Sequence, residues 1–397
     1  MIIHSKRIYT DHGCIDGYLE VENGKIKQIL THDAGVKADV DYGNLRIIPG
    51  IFDTHNHGAV GYRFDEVNEA KMKIALKGQA AFGVTGIFPT IQDLAQFPLV
   101  AKMANEFQDG AQILGIHSEG PWGSRVGEKG INTGYPAVDL EIAKKMVEDG
   151  NEKLLLVDVA PEVEHALEAI DYFVSKGITV SAYHTNANYA EANKGIDHGI
   201  TVGTHLFNVM TGLHHRDAGT AGALILRDEV TCELICDGLH VCLPIVQLAL
   251  RMKSHDKVMM ISDNGQYLGA PAGKYKGLKK NENSDRRVII VTEDGFVLSE
   301  TGRLSGSSKP VLYGIKNLVE VLKMPLEEVI KMSSLVPSKK YGFVNKGCIA
   351  QGKDADFVVI TDDYVADKTY CLGKVVFDRS REKIPFNQEF LSENGFE

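Results

Sequence analysis

Between residues 45 and 263 the chain alternates strand-length apolar runs with amphipathic stretches, and it does so eight times. The runs are Leu45–Asp53, Val84–Thr90, Gln112–Glu119, Leu154–Val159, Ile178–His184, Thr201–His205, Thr231–Asp237 and Val258–Asp263. Helix-like segments lie between them at Asn68–Phe82, Leu94–Phe107, Leu140–Glu148, Val163–Ser175, Tyr189–His198 and Leu243–Lys253. Strands that are apolar throughout must be covered on both faces, and repeated βα units supply that cover. The pattern predicts a (β/α)₈ TIM barrel over 49–345, whose active site forms at the C-terminal strand ends. An open doubly wound sheet is the rival, but no G-x-G-x-x-G follows the first strand.

The two ends read differently. Asn23-Gly24 is a hairpin turn between Val21-Glu22 and Lys25–Leu30, and Asp356–Ile360 and Gly373–Phe377 read as further strands. Residues 1–48 and 346–397 are therefore expected to form one small β-sandwich domain from both termini.

Acidic residues outnumber basic ones 53 to 43, and no basic run is long enough to track a phosphate backbone. Nucleic acid is not an expected partner. No apolar run reaches the roughly 18 residues of a membrane span, and Met1–Thr10 carries Lys6 and Arg7 without a following apolar stretch. A cytoplasmic protein is expected. The six cysteines have no C-x-x-C spacing, which argues against a thiolate zinc site or a disulfide framework.

The chemistry-bearing residues fall at the ends of the apolar runs. His55 and His57 follow the first, at the i, i+2 spacing that puts two side chains on one strand face. Glu119 ends the third run, His184 the fifth, His205 the sixth and Asp263 the eighth, while His240 follows the seventh. All seven converge on one barrel rim. Imidazoles with a carboxylate suit zinc or a neighbouring divalent ion, with iron, cobalt or manganese as alternatives. Glu119, His184 and His205 can hold one ion, and His55 and His57 a second, with Glu119 bridging. Asp263 is the candidate general base, His240 the group that polarises a carbonyl, and His117 a support rather than a ligand. Arg216, in His214-His215-Arg216-Asp217, can grip a phosphate in bidentate fashion, with Asn208 helping to position it.

This ordered set resembles the N-acetylglucosamine-6-phosphate deacetylases of the amidohydrolase superfamily. The resemblance runs from Pro49–Gly58, through the His-Ser-Glu-Gly-Pro-Trp segment at 117–122, Thr204–Asn208 and Asp237–Val241, to Ser262-Asp263, Gly269–Tyr275, Leu304–Ser307 and Gly352–Asp356. It implies metal ligation by Glu119, His184 and His205, acid/base catalysis by Asp263, and substrate contacts from His240, Asn208, Val209, Arg216, Asn132 and Leu304. It also implies a homodimer in which Arg216 reaches the neighbouring active site. His55 and His57 match members that hold a second metal. Val209 stands where Ala is usual, Arg63 where an acid is usual, and Ile131-Asn132 where Ala followed by His or Gln is usual; the Trp122–Pro136 stretch lacks the common Asn-Pro.

The expected reaction is metal-dependent hydrolysis of the acetamide of an N-acetyl amino sugar 6-phosphate. The glucosamine sugar comes first and the galactosamine epimer is its alternative. A cyclic-amide hydrolase and a catalytically dead homologue are the remaining readings.

Overall fold

The computed structural model describes residues 1–106, 109–126, 135–279 and 286–394. A parallel sheet of nine strands forms the centre. Its barrel strands are β1 (Ile51–Asn56), β2 (Val84–Ile91), β3 (Ile116–Trp122), β4 (Leu154–Val159), β5 (Thr179–Ala182), β6 (Ile200–Gly203), β7 (Thr231–Ile235) and β8 (Val258–Ile261). The ninth piece, Gln112–Ile113, leads into β3 and pairs with β2. β1 and β8 meet through a parallel bridge between Asn56 and Asn264, with the Asp263 amide donating to the His55 carbonyl and the His57 amide to the Asn264 carbonyl. The sheet therefore closes as a barrel.

Local sequence explains where the helices begin. The Asn68 side chain accepts from the Lys71 amide at the start of Glu69–Ala81, and Asn188 with Glu191 forms a capping box on Tyr189–Asp197. Gly219–Leu226 is a helix the sequence reading does not contain. It is apolar on every side and buried from Gly219 through Ile225, so no amphipathic period marks it.

The first apolar run divides in two. Arg46–Pro49 pairs with Ile2–Thr10 and Phe357–Ile360 in the terminal sheet, whereas β1 starts the barrel one residue later. Gly50 sits at the division. A Cβ there would lie 2.1 Å from Thr85 Oγ1, so the crossing of the two sheets leaves no room for a side chain.

Terminal strands make one eight-stranded sheet, ordered Lys374–Asp378, Ala366–Cys371, Phe357–Ile360, Arg46–Pro49, Ile2–Thr10, Gly13–Glu22 and Lys25–Thr31, with Val40–Asp41 beside Ile2–Thr10. Asn23 and Gly24 turn the hairpin with φ of 51° and 78°, as a tight turn requires. Ile3, Leu19, Ile47, Phe357 and Val359 pack its core. A four-stranded antiparallel sheet, Gly273–Lys279, Arg286–Val291, Phe296–Ser299 and Leu304–Ser307, follows β8. It docks on the rim through the Asn264–Ser307 bridge.

Candidate metal and catalytic centre

Glu119 is the hub. It is 7% exposed near the end of β3, and four imidazole Nε2 atoms surround its carboxylate. His55, His184 and His205 stand 3.7, 3.7 and 3.5 Å from Oε1, and His57 stands 3.4 Å from Oε2. These separations are long for hydrogen bonds. They match the spacing of neighbouring ligands on one ion, about 3.3–3.4 Å for donors at 2.0–2.1 Å in a tetrahedron. Glu119, His184 and His205 form one compact group, and His55, His57 and Glu119 a second.

Orphaned buried donors and acceptors test whether a metal fits. His55 Nε2 is wholly buried and has no hydrogen-bond partner among the described residues. Burial pulls the His184 imidazole down to about 4, whereas at His205 the Glu119 and Asp263 carboxylates outweigh burial and push it up to about 9. Burial alone would push Glu119 up, but His57, His205, His184 and His55 outweigh it and hold the carboxyl well below its ordinary range. The residues present therefore suit a divalent cation.

The backbone at three strand ends is bent to present these groups. His184, His205 and Asp263 have φ of 37°, 31° and 50°, a left-handed conformation that is uncommon for residues other than glycine. Such strain gathers at functional sites. Asp263 Oδ1 lies 3.5 Å from His55 Nε2 and 3.4 Å from His57 Nε2. Burial opposes its ionisation, yet His55 and His57 keep it firmly ionised.

His117 donates through Nδ1 to the Thr54 carbonyl at 3.1 Å, and its Nε2 faces Asp158 at 3.0 Å. Its ring meets the His55 ring edge-on at 4.6 Å. Burial lowers its pKa, but Asp158 and further carboxylates push it up to about 9. Held between a carbonyl and a carboxylate, the ring supports its neighbour His55.

His240 follows β7, its Nδ1 donating to Asp237 Oδ2 at 2.9 Å. Asp237 also accepts from the Leu239 and His240 amides, which fixes the turn. The Asn208 side-chain Nδ2 donates to the His205 carbonyl at 3.1 Å. Val209 is half-buried at φ 52°, its carbonyl accepting from the Thr185 amide. Arg216 is exposed in the loop before Gly219, and its guanidinium makes no hydrogen bond or ion pair among the described residues. Leu304 opens the strand whose Ser307 bridges Asn264, next to Asp263. Asn132 lies outside the described residues.

Sequence reasoning missed several groups around the ring. Gln92 donates to Glu119 Oε2 at 2.6 Å, and its other end accepts from Arg63, which pairs with Asp65. Tyr135 meets His184 Nδ1 at 2.6 Å and donates to the Arg125 carbonyl. Glu233, wholly buried on β7, meets His55 Nδ1 at 3.1 Å and accepts from the Thr54 hydroxyl at 2.8 Å. Its only mark in the sequence is one charged residue inside the apolar run Thr231–Ile235, which does not say which way the side chain faces.

The sequence profile of the amidohydrolase family matches residues 46–376. An N-acetylglucosamine-6-phosphate deacetylase of Vibrio furnissii is 32% identical over 369 residues, 90% of each chain. An N-acetylgalactosamine-6-phosphate deacetylase of Escherichia coli O157:H7 is 28% identical, covering 94% of this chain and 98% of that one. Among solved structures, an N-acetyl-D-glucosamine-6-phosphate deacetylase mutant of Mycobacterium smegmatis, in complex with N-acetyl-D-glucosamine-6-phosphate, superposes with a TM-score of 0.84 at 26% identity over 95% of this chain and 99% of its own.

Proposed function

This chain belongs to the amidohydrolase family, and from that membership we propose that it hydrolyses the acetamide of N-acetylglucosamine-6-phosphate to acetate and glucosamine-6-phosphate. One observation carries the reading: Glu119 ringed by four imidazoles at ligand spacing, in a chain 32% identical to a named deacetylase along 90% of its length.

Glu119, His184 and His205 would hold one divalent ion, and His55, His57 and Glu119 a second. Zinc, the first choice for these donors ahead of iron, cobalt or manganese, would supply the Lewis acidity that acidifies water and polarises an amide carbonyl. Asp263, an ionised carboxylate beside the ring, takes the proton of the attacking water and gives it to the leaving nitrogen. His240, its Nδ1–H held by Asp237, stabilises the charge that develops on the carbonyl oxygen by donating a proton carried on Nε2 as well.

Arg216 grips the 6-phosphate, reaching the neighbouring subunit of a homodimer. Its exposure and its unengaged guanidinium support that role. Asn208, Val209, Asn132 and Leu304 contact the sugar. The galactosamine epimer is the second reading, favoured by the 28% identical relative that bears its name. We further assign the chain to the cytoplasm, and residues 1–48 with 346–397 to a small β-sandwich domain beside a barrel of 49–345.

Acetate release from a panel of N-acetyl hexosamines, each with and without the 6-phosphate, tests the reading. The glucosamine 6-phosphate should be cleaved fastest. Equal rates with and without phosphate would overturn it.

A further inference from the structure

Under the ligand ring the barrel carries a buried polar layer where branched aliphatic side chains are usual. It runs from Ser181 to Thr204, whose hydroxyl donates to Asp158 at 2.8 Å, and on through His117 and Thr54 to Glu233. Glu233 and His55 end the layer, and neither has any exposed surface. A buried carboxylate is costly unless hydrogen bonds and opposite charge answer it. Here both oxygens are answered, Oε1 by the Thr54 hydroxyl and Oε2 by His55 Nδ1.

Glu233 already accepts at Oε1 from the Thr54 hydroxyl, and a metal-ligating imidazole donates its other N–H to such a carboxylate, so the proton of the shared bond belongs to His55 Nδ1. Nε2 then keeps its lone pair. That atom is the one with no hydrogen-bond partner, 3.7 Å from Glu119 Oε1 and 3.5 Å from Asp263 Oδ1. We propose that Glu233 is a positioning residue: by fixing His55 as the Nδ1–H tautomer it makes Nε2 a ligand, so that each chain binds two divalent ions, the His55–His57–Glu119 ion depending on Glu233. The inference rests on the functional reading only in taking the ring for a metal centre.

Calorimetric titration of the metal-free chain with cobalt(II) tests it. The wild type should take up two ions. Glu233→Leu should keep the Glu119–His184–His205 ion and bind the other at least ~10-fold more weakly, the usual cost of losing a partner behind a ligand. Glu233→Gln should recover most of that loss, because its amide oxygen can face His55 Nδ1 while its NH₂ faces the Thr54 hydroxyl. A single ion on the wild type, or unchanged affinities in Glu233→Leu, would overturn the proposal.

A second measurement needs no variant. In zinc-loaded wild type with isotope-labelled histidine, NMR should find the His55 proton on Nδ1; a proton on Nε2 would overturn the assignment. Neither experiment uses a sugar substrate. A chain that binds two ions as described but fails to cleave the amino sugar phosphate would retire the functional reading and leave this one standing.

Discussion

In the proposed reaction Asp263 acts on protons and Arg216 on the far end of the substrate. Asp263→Asn keeps the shape and loses the acceptor, so turnover should fall by ~10²-fold or more while metal content, measured by elemental analysis, stays at the wild-type level. Arg216→Ala should lower kcat/KM for the phosphorylated sugar by about 10- to 100-fold, the worth of charge-assisted hydrogen bonds, and leave residual activity on the unphosphorylated sugar nearly unchanged. Steady-state kinetics on the two substrates would show it; equal losses on both would remove Arg216 from phosphate recognition. The ring itself was legible because His55, His57, Glu119, His184, His205 and Asp263 all follow apolar runs, and a parallel barrel gathers such positions at one rim. What lies beneath was not. Glu233 and Asp158 sit within strands, where a lone carboxylate in the sequence does not say whether it faces a partner or the helices outside.

At the scale of elements, the division at Gly50 is the feature that sequence periodicity could not show. Leu45–Asp53 reads as one strand because every residue from Ile47 to Asp53 is buried, and burial is the same whether one sheet or two supplies it. The insertion of Gly273–Lys279 through Leu304–Ser307 escaped for another reason: its four strands follow the eighth barrel run, where the βα alternation had already ended. Gly50→Ala should destabilise the chain by about 1–3 kcal/mol, the range for overpacking a filled core, since Thr85 cannot retreat from between the two sheets. Denaturant melts of the variant would measure this. A loss below a few tenths of a kcal/mol would mean that Thr85 yields and that the crossing is looser than its distances indicate.

For the whole molecule, the ring ties together strands β1, β3, β5 and β6 and the rim beyond β8. An ion that binds only the folded chain stabilises it by mass action. Extracting the metal with a chelator should therefore abolish amide hydrolysis and also lower Tm, and added zinc should restore both. Full activity in demonstrably metal-free protein would sink the mechanism, whereas an unchanged Tm would mean that the imidazoles hold the rim without an ion.

The junction strand Arg46–Pro49 has a further consequence, which concerns the order in which the chain is made. One of its edges pairs with Ile2–Thr10 and is available as soon as the first fifty or so residues have emerged; the other pairs with Phe357–Ile360, which come some three hundred residues later. At about 5–20 residues per second, that interval is on the order of 15–60 s. Throughout it, a growing chain carries an unpaired apolar β edge beside the strand that must start the barrel. Synthesis thus imposes a waiting time that the finished fold conceals, and Phe357–Ile360 is the clasp that closes it.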